Sequence, residues 1–131
     1  MSGWDAYITS LTGASPAIKR AGIIGTDGAV WARTGGDNTF KATDAELKKF
    51  VSLFDNIDSV PSTGADLENI HYIVPRTEPN LIFGKKDKCG FFAGKSNKAV
   101  VIAIYEGENQ VSAAVREAIE NLVKYLVSLD Y

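Results

Sequence analysis

Hydrophobic residues recur along this chain with two periods, one near 3.6 residues and one of two, and the change from one to the other marks out the elements. Trp4, Tyr7, Ile8 and Leu11 stand at i, i+3, i+4 and i+7, the stripe of an amphipathic helix. Such a helix is expected from about Gly3 to Leu11, with Ser2 as its cap and Thr12-Gly13 as its stop. Two short runs follow, Ala21 to Gly25 and Ala29 to Arg33, separated by Thr26-Asp27-Gly28. Asp-Gly supplies the positive-φ residues of a tight turn, so these runs read as a β-hairpin that carries Trp31. Thr43 and Glu46 form a capping box ahead of Leu47, Phe50, Val51 and Phe54, which predicts a second helix over about Thr43 to Asp55.

From Ile70 to Tyr105 the texture becomes β-rich: IHYIV, LIF, GFFA and the uninterrupted AVVIAIY, each bounded by turn residues. These predict a four-stranded meander. AVVIAIY is apolar on both of its faces, as in a central strand covered on both sides. The closing segment supplies a cover, since Val115, Ala118, Ile119, Leu122, Leu126 and Leu129 make one stripe on a helix from about Ser112 to Leu129. Terminal helices packed on a central antiparallel β-sheet make an α+β fold, read as a single domain over residues 1–131.

Composition narrows the function classes. With 131 residues, 45% of them hydrophobic, the chain can bury a core without cross-links. Fourteen Lys and Arg against sixteen Asp and Glu give a net charge of -2, which excludes the basic field that generic nucleic-acid binding needs. The lone Cys89 allows no intrachain disulfide and no Asn-x-Ser/Thr acceptor occurs, so the expectation is a cytoplasmic protein. No run approaches the roughly 20 apolar residues of a spanning helix, so no transmembrane segment is expected.

Catalytic patterns fail on their context. Gly90-Phe-Phe-Ala-Gly94-Lys95-Ser96 is one residue short of a phosphate-binding loop and leads into a strand, not into a helix N-terminus. One histidine and one cysteine, far apart in sequence, support neither a catalytic pair nor a zinc site. No enzyme, cofactor or metal is therefore expected.

The aromatics and cations are more informative. Tyr125 falls at the edge of the last apolar stripe, and Tyr131, the final residue of the sequence, has little reason to be aromatic unless it docks. Trp4, Tyr7 and Trp31 sit in the first quarter of the chain. Each ring alone is more often part of a core than of a ligand site. Grooves of such rings take proline-rich segments, which are already ordered as polyproline II and stack on flat faces. Between Arg76 and Lys98 the chain carries Arg76, Lys85, Lys86, Lys88, Lys95 and Lys98 against Glu78 and Asp87, a local net of +4. Such a segment suits an acidic protein surface or anionic lipid, and equally serves to keep hairpin turns soluble and edge strands unpaired.

Taken together, SGWDAY, AVWA around Trp31, IFGKKD, KAVVIAIY and the closing YLVSLDY resemble the profilin family over nearly the whole length. The resemblance implies N- and C-terminal helices side by side on one face of the sheet and shorter helices on the other. It implies a proline-rich peptide site at Trp4, Tyr7, Trp31, Tyr125 and Tyr131, where Tyr125 replaces the histidine of many animal members. It places actin binding on His71, Val74, Arg76, Lys85, Lys86, Lys95, Val111, Ala113, Arg116 and Glu117. Phosphoinositides would be bound through Lys85, Lys86 and Lys88. The implied partners are monomeric actin, proline-rich proteins such as elongation factors, and phosphoinositide headgroups, with the protein regulating actin polymerisation and nucleotide exchange at the cytoskeleton. The alternative is a proline-rich-peptide module without actin binding.

Overall fold

The computed structural model describes residues 4–14, 17–34, 40–75, 77–78, 80–106 and 109–131, leaving aside the side chains of residue 5 and of residues 109–112. The expected cap Ser2 lies outside the described residues. Helix α1 runs over Trp4–Ala14, three residues beyond the expected end at Leu11 and through the expected stop. The Thr12 hydroxyl donates to the Ile8 and Thr9 carbonyls, so it is satisfied inside the helix, and an exposed Gly13 costs helix propensity without breaking the hydrogen-bond ladder.

Strands β1 (Ile18–Gly25) and β2 (Val30–Arg33) form the first hairpin. The loop is closed by Gly25 N–H donating to the Ala29 carbonyl. Only Gly28 takes positive φ, at +90°, while Asp27 contributes a carboxylate that accepts from the Ala29 N–H. The turn thus needs one left-handed residue where the dipeptide suggested two. A Cβ on Gly28 would meet Lys48 Cγ at 2.5 Å, which lets α2 pack closely over the turn.

Helix α2 covers Asp44–Ser52, and its capping box is formed in both directions between Thr43 and Glu46. The helix ends three residues before the expected Asp55, where the chain tightens into a 3-10 segment, Leu53–Ser59. A short helix α3 (Val60–Thr63) follows, with Pro61 in its first turn, where a missing N–H costs nothing.

The meander keeps three of its four expected strands. Strands β6 (Leu81–Lys86), β7 (Cys89–Lys95) and β8 (Ala99–Glu106) pair consecutively and antiparallel. The IHYIV run instead pairs backwards: β3 (Ala65–Leu67) and β4 (Ile70–Tyr72) make a separate two-stranded sheet. The turn between them, Glu68-Asn69, has positive φ at both residues, the geometry of a two-residue hairpin that nothing in the apolar pattern signalled. The two-residue strand β5 (Thr77–Glu78) pairs with β6 in its place.

The main sheet has the order β2-β1-β8-β7-β6-β5. β8 is central and buried on both sides, as its composition predicted. Ala99, Val101, Ala103 and Tyr105 face one core, where they meet Ile8 and Leu11 of α1 and Val115, Ile119 and Leu126 of helix α4 (Asn109–Ser128). Val100, Ile102 and Ile104 face a second core with Phe40, Leu47, Phe50 and Val60. The terminal helices therefore share one face and the shorter helices the other. α4 approaches β7 at Gly94, where a Cβ would meet Val123 and Ile119 within 2.9 Å. Val123, absent from the expected stripe, packs against this core, whereas Leu129 is 43% exposed because the helix has already ended.

Candidate functional site

The i and i+3 spacing of Trp4 and Tyr7 places both rings on one edge of α1, with centroids 5.4 Å apart. Their inner edges rest on the core beneath α1 and α4, as does Trp31 from β2, and each remains half-buried. Trp31 lies 4.8 Å from Trp4, and Tyr7 lies 5.8 Å from Tyr125 on the last turns of α4. Tyr131 completes the group at 5.0 Å from Trp4 and 6.2 Å from Trp31. The five rings form one continuous surface, Tyr125-Tyr7-Trp4-Tyr131 with Trp31 at its inner side. Edge-on pairs of this kind attract through their quadrupoles and hold their faces at fixed angles.

Tyr125 and Tyr131 are 50% and 40% exposed, so the surface is open to a ligand. Beyond Tyr125 it continues into a cleft of 340 Å³ between α1 and α4, lined among others by Ser10, Leu11, Ala118 and Leu122. Burial, and next the charge and hydrogen bond of Tyr125, push the Tyr7 phenol above its ordinary ionisation range. The five rings offer flat, largely apolar faces.

Tyr131 is not frayed. Asp130 takes left-handed φ of +68°, the Asp130 N–H donates to the Val127 carbonyl and the Tyr131 N–H to the Leu126 carbonyl, which together close α4 in a Schellman motif. The Tyr131 backbone oxygen accepts from the Ser96 hydroxyl at 2.7 Å and from the Lys98 N–H. The docking suspected from an aromatic final residue is real, and its anchors lie in the β7–β8 turn.

The residues assigned to the other surface divide into three groups. Lys95, Ala113, Arg116 and Glu117 line a groove of 510 Å³ between α4 and the β5–β7 side of the sheet. Lys85, Lys86 and Lys88 lie exposed around the β6–β7 turn, at the opposite end of that hairpin from Lys95. His71 stands exposed on β4, its Nδ1 2.7 Å from Asp66 Oδ1. The bridge between Ile73 and Lys85 joins the end of β4 to β6 and so connects the last two groups. Arg76 lies outside the described residues, and so does the side chain of Val111.

One expectation changes. Val74 is 1% exposed and packs in the second core, so its side chain cannot meet a partner. The outward residue is Ile73, at 67% exposure, because Tyr72 and Val74 occupy the inward positions of an extended segment. The run IHYIV hides this phase, since apolar or amphipathic residues occupy all of its positions. Arg116, in turn, is held within the protein: its guanidinium donates to Glu120 and, at 2.7 Å, to Glu78. Those hydrogen bonds, Glu120 first, raise its already high ionisation point, so the charge is permanent.

The motifs that suggested chemistry take other roles among the described residues. The segment Gly90 to Lys95 is strand β7 and turns into β8, which removes the phosphate-loop reading. Cys89 is half-buried, and burial, with Glu106 next, raises its thiol ionisation, the opposite of an activated nucleophile. Among the described residues no group of three or more His, Cys, Asp or Glu is placed to hold a metal, and no helix is long and apolar enough to cross a membrane.

Comparison with known proteins matches residues 2–131 to the model of one family, Profilin. Profilin-2 of Caenorhabditis elegans is 63% identical over 131 residues, 100% of both chains. Among solved structures, Acanthamoeba castellanii profilin IB has a TM-score of 0.86 at 30% identity, covering 98% of this chain and 100% of that one. Mouse profilin IIa in complex with a double repeat from the FH1 domain of mDia1 shares the fold, with a TM-score of 0.75 at 19% identity, covering 99% of this chain and 100% of that one.

Proposed function

The chain belongs to the profilin family, whose members are actin-binding regulators and not enzymes, and on that footing we propose that it delivers monomeric actin to filament ends while held by proline-rich partners. The observation that carries this reading is the continuous surface of Trp4, Tyr7, Trp31, Tyr125 and Tyr131, open to solvent at Tyr125 and Tyr131. Its flat neutral faces suit a polyproline II segment, which loses little entropy on binding. Residues 1–131 act as one domain in the cytoplasm.

Actin is assigned to the opposite side, around Lys95, Ala113, Arg116 and Glu117 and along the edge that carries His71, Ile73, Lys85 and Lys86. Exposed lysines beside a large exposed aliphatic residue suit an acidic surface with an apolar centre. The Lys85-Lys86-Lys88 turn would also attract phosphoinositide headgroups, at about 1 kcal/mol per cation near an anionic membrane. Lipid and actin would then compete, because both use Lys85 and Lys86.

The deciding experiment is titration of monomeric actin, followed by gel filtration, in parallel with polyproline titration read by tryptophan fluorescence. Binding of both is expected. Binding of polyproline alone would leave a proline-rich-peptide module without actin function.

A further inference from the structure

Gly94-Lys95-Ser96 forms no phosphate loop, yet its serine has a use of its own. Ser96 is 6% exposed, a buried polar residue in the turn that joins β7 to β8. Its N–H donates to the Ala99 carbonyl at 2.8 Å and its Oγ accepts from the Ala99 N–H at 3.1 Å. The turn is closed by these two bonds. The hydroxyl proton is therefore available for another acceptor, and the nearer one is the Tyr131 backbone oxygen at 2.7 Å, against 3.2 Å for the already bonded Ala99 carbonyl. A hydroxyl has one proton, so the shorter contact takes it.

We propose that Ser96 is a positioning residue for the proline-rich groove, acting as a latch that holds Tyr131 against Trp4 and Trp31. The inference rests on the reading of those rings as a ligand surface. Tyr131 follows a helix that ends at Ser128, and beyond the Schellman closure its backbone is fixed by Ser96 Oγ and by the Lys98 N–H. Without them the ring would pivot about the left-handed Asp130. An aromatic wall that must be ordered on each binding event binds more weakly than one already in place. The latch thus lets a turn on the sheet set the shape of a groove made mostly by helices.

The test is Ser96→Ala in two backgrounds, the parent and Tyr131→Ala, each titrated with polyproline and followed by tryptophan fluorescence. Acrylamide quenching of Trp4 and Trp31 in the free proteins accompanies it. In the parent background the substitution is expected to weaken polyproline binding about fivefold, on the order of the net worth of one hydrogen bond. Tryptophan quenching should rise because Tyr131 no longer covers Trp4. With Tyr131→Ala already present, neither quantity should change further. Should Ser96→Ala prove too unstable, Ser96→Cys keeps the side-chain size with a much weaker donor and is expected to act in the same direction. Unchanged binding and quenching in the parent background would overturn the latch, as would equal losses in both backgrounds, which mark a general turn defect. A parent that ignores polyproline while Ser96→Ala still raises quenching would overturn the ligand reading and leave the latch as a structural fact.

Discussion

The ring of Tyr131 stands edge-on to that of Trp4, with centroids 5.0 Å apart and planes at 84°. One wall of the proposed groove is thus set by Tyr131, anchored through its own backbone to the β7–β8 turn. Removing the whole residue would remove the anchor as well as the ring, so Tyr131→Ala is the cleaner change. It is expected to weaken polyproline binding about tenfold, as for a well-packed aromatic contact, with thermal stability little altered. Tryptophan fluorescence during polyproline titration measures this, and parental affinity in the variant would remove Tyr131 from the site.

Salt should separate the two proposed ligand surfaces. Lys85, Lys86 and Lys88 are exposed, whereas the ring surface carries no charge of its own. Replacing all three lysines by Gln is expected to reduce binding to phosphoinositide vesicles about 100-fold or more. Polyproline binding should stay as it was. Raising the salt to about 0.5 M should weaken vesicle binding of the parent and leave polyproline binding nearly constant. Vesicle binding that survives the triple substitution would move the lipid site elsewhere.

Ile73 and Val74 should part company in a paired experiment. Ile73→Asp changes a residue that is 67% exposed and is expected to leave the folded state intact while sharply weakening actin binding. Val74→Ala empties part of the second core and is expected to cost about 2 kcal/mol of stability. Actin titration and thermal unfolding, run on both proteins, give the answer. Ile73→Asp with parental actin affinity would take this edge out of the interface.

Tyr72 predicts the alkaline limit of the fold. It is 1% exposed, and burial, with Glu68 next, pushes its phenol up to about 12 from an ordinary 10. The folded state keeps this proton where the unfolded state has lost it. The stabilisation is complete below about pH 10 and is lost as pH rises to about 12, at about 1.4 kcal/mol per pH unit. Denaturant unfolding at several alkaline pH values should show this slope. Tyr72→Phe should flatten it, and an unchanged slope would assign the effect to other groups such as Tyr105, also raised by burial.

Much of the candidate site was legible because its residues belong to strongly patterned elements. Trp4 and Tyr7 follow from helical spacing, Trp31 from a hairpin, and Tyr125 from the edge of an apolar stripe. Ile73 was not legible. In IHYIV every side chain tolerates burial, so the phase of alternation depends on which partners the run finds: Ile70 to Tyr72 pair with β3, and Ile73 alone bridges to Lys85 of β6. The latch was hidden as well: the Ser96 hydroxyl donates to a backbone oxygen of Tyr131, 35 residues away, and that acceptor carries no residue signature.

The sequence by itself determined the helices with clear apolar stripes, the central place of AVVIAIY, the Thr43–Glu46 capping box and the division into an α+β fold. Those features depend on spacing within one segment, and local spacing is written directly in residue order. Only the tertiary structure decided the pairing of β3 with β4, the burial of Val74, the capture of Arg116 by Glu78 and the latch on Tyr131. Each of these joins separate parts of the chain through backbone groups or long flexible side chains. Such partners are selected by the packing of the whole sheet and its helices, and not by neighbours in sequence.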